Sequence, residues 1–256
     1  MADGDGAMAM TPHVLIVAGS DSSGGAGIAR DVETVSAFGL RSCLAITAVT
    51  VQTHAAVERI EQMPPELVVA QMKAAFAANQ VAAVKIGMLG TAAAIEAVGS
   101  VLASNRQASV VLDPVLASTS GRLLLEDDAI GALRRDLMPV CRLVTPNLLE
   151  LAELTGSAPA PDEESASLQG EELSRTIGTA VLVKGGHAQS SQSVDILLQP
   201  NCPAVRFVAL RLHSEMRGTG CMLSSAIAAS LALGADLEKS VRGAKQFVLD
   251  ALVRSA

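Results

Sequence analysis

The sequence predicts an α/β fold built on a mostly parallel central sheet with helices on both faces. Two observations predict it. Short apolar runs of strand length alternate with stretches of helical periodicity along almost the whole chain. Those strand-length runs are apolar at consecutive positions rather than at every second one, as in strands covered on both faces. At 256 residues the chain can bury a substantial core without disulfides or a structural metal.

The elements follow in order. Residues 13–18 read as a strand. A helix at 26–38 puts Ile28, Val32, Val35 and Phe38 on one face. Residues 44–51, rich in Val, Ile and Thr, form the second strand. A shorter strand at 57–61 precedes Pro64 and Pro65, which open a helix running to Asn79. A strand at 84–88, a helix at 91–104 and a strand at 110–113, stopped by Pro114, come next. A helix at 127–137 ends before Pro139, followed by a strand at 142–145 and a helix at 147–154. Residues 156–169, GSAPAPDEESASLQ, gather Pro, Ser and acids and read as an exposed loop. Strands are expected at 181–184, 193–198 and 205–210, the last two antiparallel at a sheet edge, and helices at 220–233 and 237–253 close the chain. The pattern gives a disordered leader at 1–11 and a single domain at 12–256.

Composition excludes several function classes. Acidic residues outnumber basic ones, 26 to 19, for a net charge of −7, and no basic run or stripe offers a nucleic-acid surface. With aromatics at 2% there is no base-stacking platform. The four cysteines, Cys43, Cys141, Cys202 and Cys221, show no C-x-x-C spacing, which argues against a zinc knuckle or a redox pair. Few, unpatterned cysteines suit a reducing cytoplasm. No uninterrupted apolar stretch reaches the ~20 residues of a membrane span. A soluble cytoplasmic protein is expected.

Polar residues that interrupt the pattern mark candidate chemistry. In open α/β sheets ligands sit beyond the carboxyl ends of the strands. Gln52 ends the run LAITAVTV, Asp113 ends VVL and Lys184 ends VLV, so all three belong on one rim. A strand can also simply end in something polar. Asp31 lies on the apolar face of the first helix, where a carboxylate is costly unless paired. It is either a satisfied ion pair or a group aimed into a polar pocket. Asn147 and Glu150, at i,i+3 on a helix start, fit a capping box equally well as an acidic pair oriented toward a metal–phosphate.

Two glycine turns stand out. Residues 19–27, GSDSSGGAG, join a strand to a helix but lack the Lys and Ser/Thr of a Walker motif, and Arg30 stands where a dinucleotide fingerprint needs Gly. What remains is a loop that lets backbone approach a ligand closely, beginning at Gly19. The second turn, Gly218, Thr219, Gly220 and Cys221, opens a helix rich in small residues. Amides at a helix start bind anions, and the same field is expected to favour a Cys221 thiolate. The alternative is a buried structural cysteine with glycines serving the turn alone.

Taken together, AGSDSSGGAGIARD, KIGML (85–89), LDPV (112–115), TPNLLE (145–150), LVKGGH (182–187) and GTGC (218–221), in this order, resemble hydroxymethylpyrimidine/phosphomethylpyrimidine kinases of the ribokinase-like superfamily. The resemblance runs from about residue 12 to residue 253. It implies a three-layer α/β sandwich, a homodimer, and ATP with Mg²⁺. It also implies two successive phosphorylations, of 4-amino-5-hydroxymethyl-2-methylpyrimidine and then of its monophosphate, for thiamine biosynthesis. By the same resemblance the pyrimidine meets Gly19, Asp31, Gln52, Met88 and Val115. Cys221 handles the substrate hydroxyl, the amides of Gly218, Thr219 and Gly220 hold the transferring phosphoryl, and Asn147, Glu150 and Lys184 serve the nucleotide. Asp113 and Glu150 organise the metal. A carboxamide at Gln52 offers both donor and acceptor to an aminopyrimidine edge, and Met88 an apolar cover. Two positions depart from the family pattern: Arg217 replaces a His, as a possible phosphate-facing cation, and Met222 replaces Ser or Thr.

Three rival readings remain. One is a pyridoxal or pyridoxine kinase on the same fold. Another is a hydrolase or transferase with Cys221 as covalent nucleophile, which needs His13, His54, His187 or His213 within hydrogen-bond reach. The third is a ligand-binding relative without turnover.

Overall fold

The computed structural model describes residues 11–117, 124–126, 128–185, 191–212 and 216–255. The expected leader therefore lies outside the described residues, Thr11 apart. The strands are β1 (His13–Asp21), β2 (Arg41–Gln52), β3 (Val57–Gln62), β4 (Val81–Ile86), β5 (Ser109–Leu112), β6 (Leu143–Val144), β7 (Ala180–Lys184), β8 (Gln192–Leu198) and β9 (Val205–Leu210). They form one sheet in the order β3-β2-β1-β4-β5-β6-β7-β8-β9. From β2 to β7 neighbours run parallel, and β3, β8 and β9 add antiparallel edges. The expected alternation and the antiparallel final pair are thus both seen.

The helices are α1 (Gly27–Ala37), α2 (Pro65–Ala78), α3 (Ala92–Ala103), α4 (Ala129–Ala132), α5 (Leu148–Thr155), α6 (Glu163–Ile177), α7 (Thr219–Ala232) and α8 (Leu237–Ser255). They cover both faces, and the strand period of two decides which side chains meet which layer. Val14, Ile16 and Ala18 of β1 join Ala83, Val111 and Leu182 against α1, α7 and α8. Leu15, Val17, Val84, Ile86 and Val183 pack on the opposite face with α2, α3, α5 and α6. By the same alternation, Lys85, Asp113 and Lys184 turn toward the α1–α7 layer.

Two expectations are corrected. Residues 156–169 are not all loop: Asp162 caps α6, its carboxylate accepting from the Ser165 amide at 2.8 Å, and Glu163 and Glu164 fill the first turn. Ala166, Gly170, Leu173 and Ile177 then face inward at helical spacing. The acidic stretch is the favourable charge at a helix start rather than a solvated loop. The helix expected at 127–137 is regular only over α4. It widens into a π turn at Leu133–Leu137 and ends in a 3₁₀ turn at Met138–Val140, where Pro139 sits near the start and removes no needed donor. Residue 127 lies outside the described residues.

Candidate active site

The carboxyl ends of the parallel strands make one rim, and α7 packs across β1, β4 and β5 with its first turn at that rim. Gly218 caps α7 with φ of +73°. A side chain there would strike the Gly25 carbonyl, so the two glycine turns close on each other only because both lack bulk. The Gly27 amide, at the start of α1, lies close enough to the Cys221 sulfur to favour its charged form. Two helix starts therefore converge on one thiol.

Asp113, Lys184 and Glu150 form the charged part of the rim. Lys184 Nζ lies 2.7 Å from Asp113 Oδ1 and 3.8 Å from Glu150 Oε2. Thr145 Oγ1 and Ser224 Oγ approach the two Asp113 oxygens, each at 3.4 Å. A Cβ built on Gly220 would lie 3.4 Å from Lys184 Nζ and 3.7 Å from Asp113 Oδ2, which puts the first turn of α7 directly against the pair. Burial opposes charge on Asp113, but Lys184 and Lys85 outweigh it and hold the carboxyl below its usual range. Burial pushes Glu150 up to about 7, with Lys184 pulling the other way.

Asn147 and Glu150 make a complete capping box. Asn147 Oδ1 accepts from the Leu149 and Glu150 amides, both at 2.9 Å, and Glu150 Oε2 accepts from the Asn147 amide at 2.7 Å. The local role is thus fulfilled, and the same Oε2 that closes the cap is the Glu150 oxygen 3.8 Å from Lys184 Nζ.

On the β1–β2 side, Gln52 ends β2, its main chain held in both directions by the Ser22 hydroxyl at 2.8 Å. Thr50 Oγ1 donates to Gln52 Oε1 at 3.3 Å. A Cβ on Gly19 would come within 2.6 Å of Met88 Cε, so Gly19 is what lets the Met88 side chain lie over β1. Met88 is held by its carbonyl, which accepts from Thr47 Oγ1 at 2.6 Å. Val115 is half-buried two residues beyond Asp113.

Of the two readings of Asp31, the ion pair is the one seen. Asp31 Oδ2 meets Lys85 Nζ at 2.8 Å and Oδ1 accepts from Ser225 Oγ at 2.8 Å, with neither charged side chain exposed. Asp31 therefore presents no surface to a pyrimidine. Burial works against the Lys85 ammonium, but Asp31, with Cys221 and Asp113 beyond it, holds Lys85 above its ordinary range. The thiolate expectation is likewise reversed: burial pushes the Cys221 thiol up to about 11, although Lys85 pulls the other way.

Arg217 does not face the phosphate region as a free cation. It donates to Ser23 Oγ at 3.1 Å and to the Thr53 carbonyl at 3.2 Å, and lies 3.8 Å from Asp21. It ties the first glycine turn to the segment after Gln52. Met222 is buried in the helical layer. Sequence reasoning gave no role to Lys85, Ser224 or Ser225. The signal for Lys85 was present, as a lysine inside the apolar run VAAVKIGML.

Among the described residues no histidine hydrogen-bonds Cys221, and His187 and His213 lie outside them. No three metal-ligating side chains cluster among the described residues. Two carboxylates bridged by Lys184 still fit Mg²⁺, which keeps several waters and takes one or two carboxylates plus phosphate oxygens. No described helix is long and apolar enough to cross a membrane.

The sequence model of the family described as phosphomethylpyrimidine kinase matches residues 21–256. The chain belongs to that family. It is 44% identical over 240 residues to the hydroxymethylpyrimidine/phosphomethylpyrimidine kinase of Rhizobium meliloti, covering 93% of this chain and 90% of that one. The crystal structure of a phosphomethylpyrimidine kinase from Clostridium difficile superposes with a TM-score of 0.81 at 35% identity, over 94% of this chain and 99% of the other. A pyridoxal kinase from Staphylococcus aureus in complex with AMP-PCP gives a TM-score of 0.86 at 27% identity, over 94% and 88%. The enzyme is a phosphotransferase with the ribokinase-like fold, as the order of its motifs implied.

Proposed function

We propose that residues 12–256 act as one kinase domain that phosphorylates 4-amino-5-hydroxymethyl-2-methylpyrimidine from ATP, and then its monophosphate. The observation that carries this reading is the first turn of α7, which abuts the Asp113–Lys184 pair at Gly220 and the first glycine turn at Gly218. Gly19, Gln52, Met88 and Val115 hold the pyrimidine, with Asp31 behind them as part of the frame. The substrate oxygen forms its bond to the γ-phosphorus while the bond from that phosphorus to the β-bridging oxygen breaks, and ADP leaves with the electron pair. The hydroxyl proton departs onto the transferred group. In a loose transfer of this kind positioning and electrostatics carry most of the rate. The Gly218, Thr219 and Gly220 amides and Lys184 bind charge on the moving phosphoryl, and Cys221, as a thiol, orients the acceptor hydroxyl. Asp113 and Glu150, with Asn147 holding the latter, would keep Mg²⁺ and its waters at the phosphates, where the metal neutralises developing charge.

Four free cysteines support a cytoplasmic placement. Exposed Leu44, Val49 and Val51 on β2, beside the edge strand β3, support a homodimer through that end of the sheet. The likeness to a pyridoxal kinase keeps one second reading in view. A coupled assay with ATP and either the hydroxymethylpyrimidine or pyridoxal separates them: ATP-dependent formation of both pyrimidine phosphates is expected, and a clear preference for pyridoxal overturns the substrate.

A further inference from the structure

Lys85, Asp31 and Ser225 are each fully buried. Lys85 projects from the middle of the sheet, its ammonium in a niche that a Cβ on Gly87 would narrow to 3.0 Å. Asp31 comes from α1 and Ser225 from α7, joined at 2.8 Å on either side. A buried ion pair is weak evidence of stability, because desolvating both charges costs as much as their attraction returns, and an apolar pair of similar size often does as well. Three elements have nevertheless been fastened by a polar chain at one point. Ser225 lies four residues after Cys221, on the same face of α7. Asp113 and Lys184 lie against the same turn, through Ser224 and Gly220.

We infer that the Lys85–Asp31–Ser225 chain is a positioning device for phosphoryl transfer, which fixes the height and roll of the first turn of α7 over the Asp113–Lys184 pair. Lys85 grips Asp31, and Asp31 grips α7 through a directional hydrogen bond that apolar packing cannot reproduce. The amides after Gly218 and the Cys221 thiol are thereby set against the phosphates and the acceptor hydroxyl. None of the three residues touches substrate. The inference rests on the kinase reading above.

The test replaces the pair by apolar residues, Lys85→Met with Asp31→Leu, and reads melting temperature, kcat, and KM for the pyrimidine and ATP. The fold is expected to melt cooperatively near the wild-type temperature, with kcat down at least about ten-fold and both KM values within about two-fold, since small misplacements of reacting groups cost rate before affinity. Lys85→Met with Asp31→Asn leaves an oxygen for Ser225 and is expected to recover most of kcat. Wild-type kcat in the Met/Leu variant, or no recovery in the Met/Asn variant, overturns the inference. If the Met/Leu variant fails to fold, Ser225→Ala decides: a kcat about five-fold lower at unchanged KM supports the tie, and an unchanged kcat removes it. Wild-type protein inert toward the hydroxymethylpyrimidine and ATP overturns the kinase reading itself, and the inference with it.

Discussion

Cys221 receives the field of two helix starts, and its thiol is nevertheless held at about 11. Magnitudes explain this. A helix end contributes up to ~2 kcal/mol, or about 1.5 pKa units, whereas burial can move an ionisable group by 3–5 units. If the thiol orients the hydroxyl, kcat has no contribution from Cys221 ionisation between pH 7 and 9. A rate that climbed ten-fold per pH unit across that range, and lost the climb in Cys221→Ala, would instead establish a thiolate base. Cys221→Ala is expected to lower kcat at least about ten-fold by leaving the acceptor hydroxyl misplaced, with pyrimidine affinity kept in a binding titration.

Glu150 shows a second residue-scale effect. The unfolded chain ionises it near the ordinary 4.5, the folded chain near 7. Folding therefore takes up a proton in that window, and this group's share of stability is present below about 4.5 and is lost as pH climbs to 7. Glu150→Gln keeps an oxygen for the Asn147 amide, so the cap survives. Melting curves at pH 5 and pH 8 are expected to favour the Gln variant more at pH 8, while its kcat falls; an equal offset at both values contradicts the burial argument.

At the scale of elements, α6 shows why part of the fold was not legible. Pro, Ser and acidic residues crowd both loops and the first turns of helices, so composition alone misassigns residues 156–169. The deciding spacing, Ala166, Gly170, Leu173 and Ile177, straddles the end of that segment. Asp162→Ala removes the cap and is expected to cost about 1 kcal/mol in a denaturant titration, with kcat unchanged because α6 lies on the face of the sheet away from α7. The rim was legible for the opposite reason. Gln52, Asp113 and Lys184 end apolar runs, and a parallel sheet brings such ends to one side. Lys85 escaped because it sits one turn of the pleat earlier, inside its strand, where a charge has no sequence signature apart from being out of place. The ion pair of Asp31 was open in the sequence and its partner was not, since the two residues are 54 positions apart.

For the whole molecule, the rim is assembled from strands spread across the sheet, and binding at it should stiffen the entire fold. At one hundred times the dissociation constant a ligand adds about 2.7 kcal/mol. A chain of this size converts that into a rise of about 5 °C in melting temperature. A non-hydrolysable ATP analogue with Mg²⁺ is expected to produce such a rise in a thermal scan. No rise at millimolar concentrations would mean that the described rim does not receive nucleotide.

Asp31 meets Lys85 across 54 positions but waits for Ser225 across 194. On the ribosome the first two emerge early, and the hydroxyl that completes their contacts appears only when most of the polypeptide has been made. A nascent chain interrupted before that point carries two sequestered charges with one lone pair unanswered, and no turn of glycines to receive a nucleotide. Premature termination anywhere upstream of the seventh helix should therefore leave no partial catalyst behind.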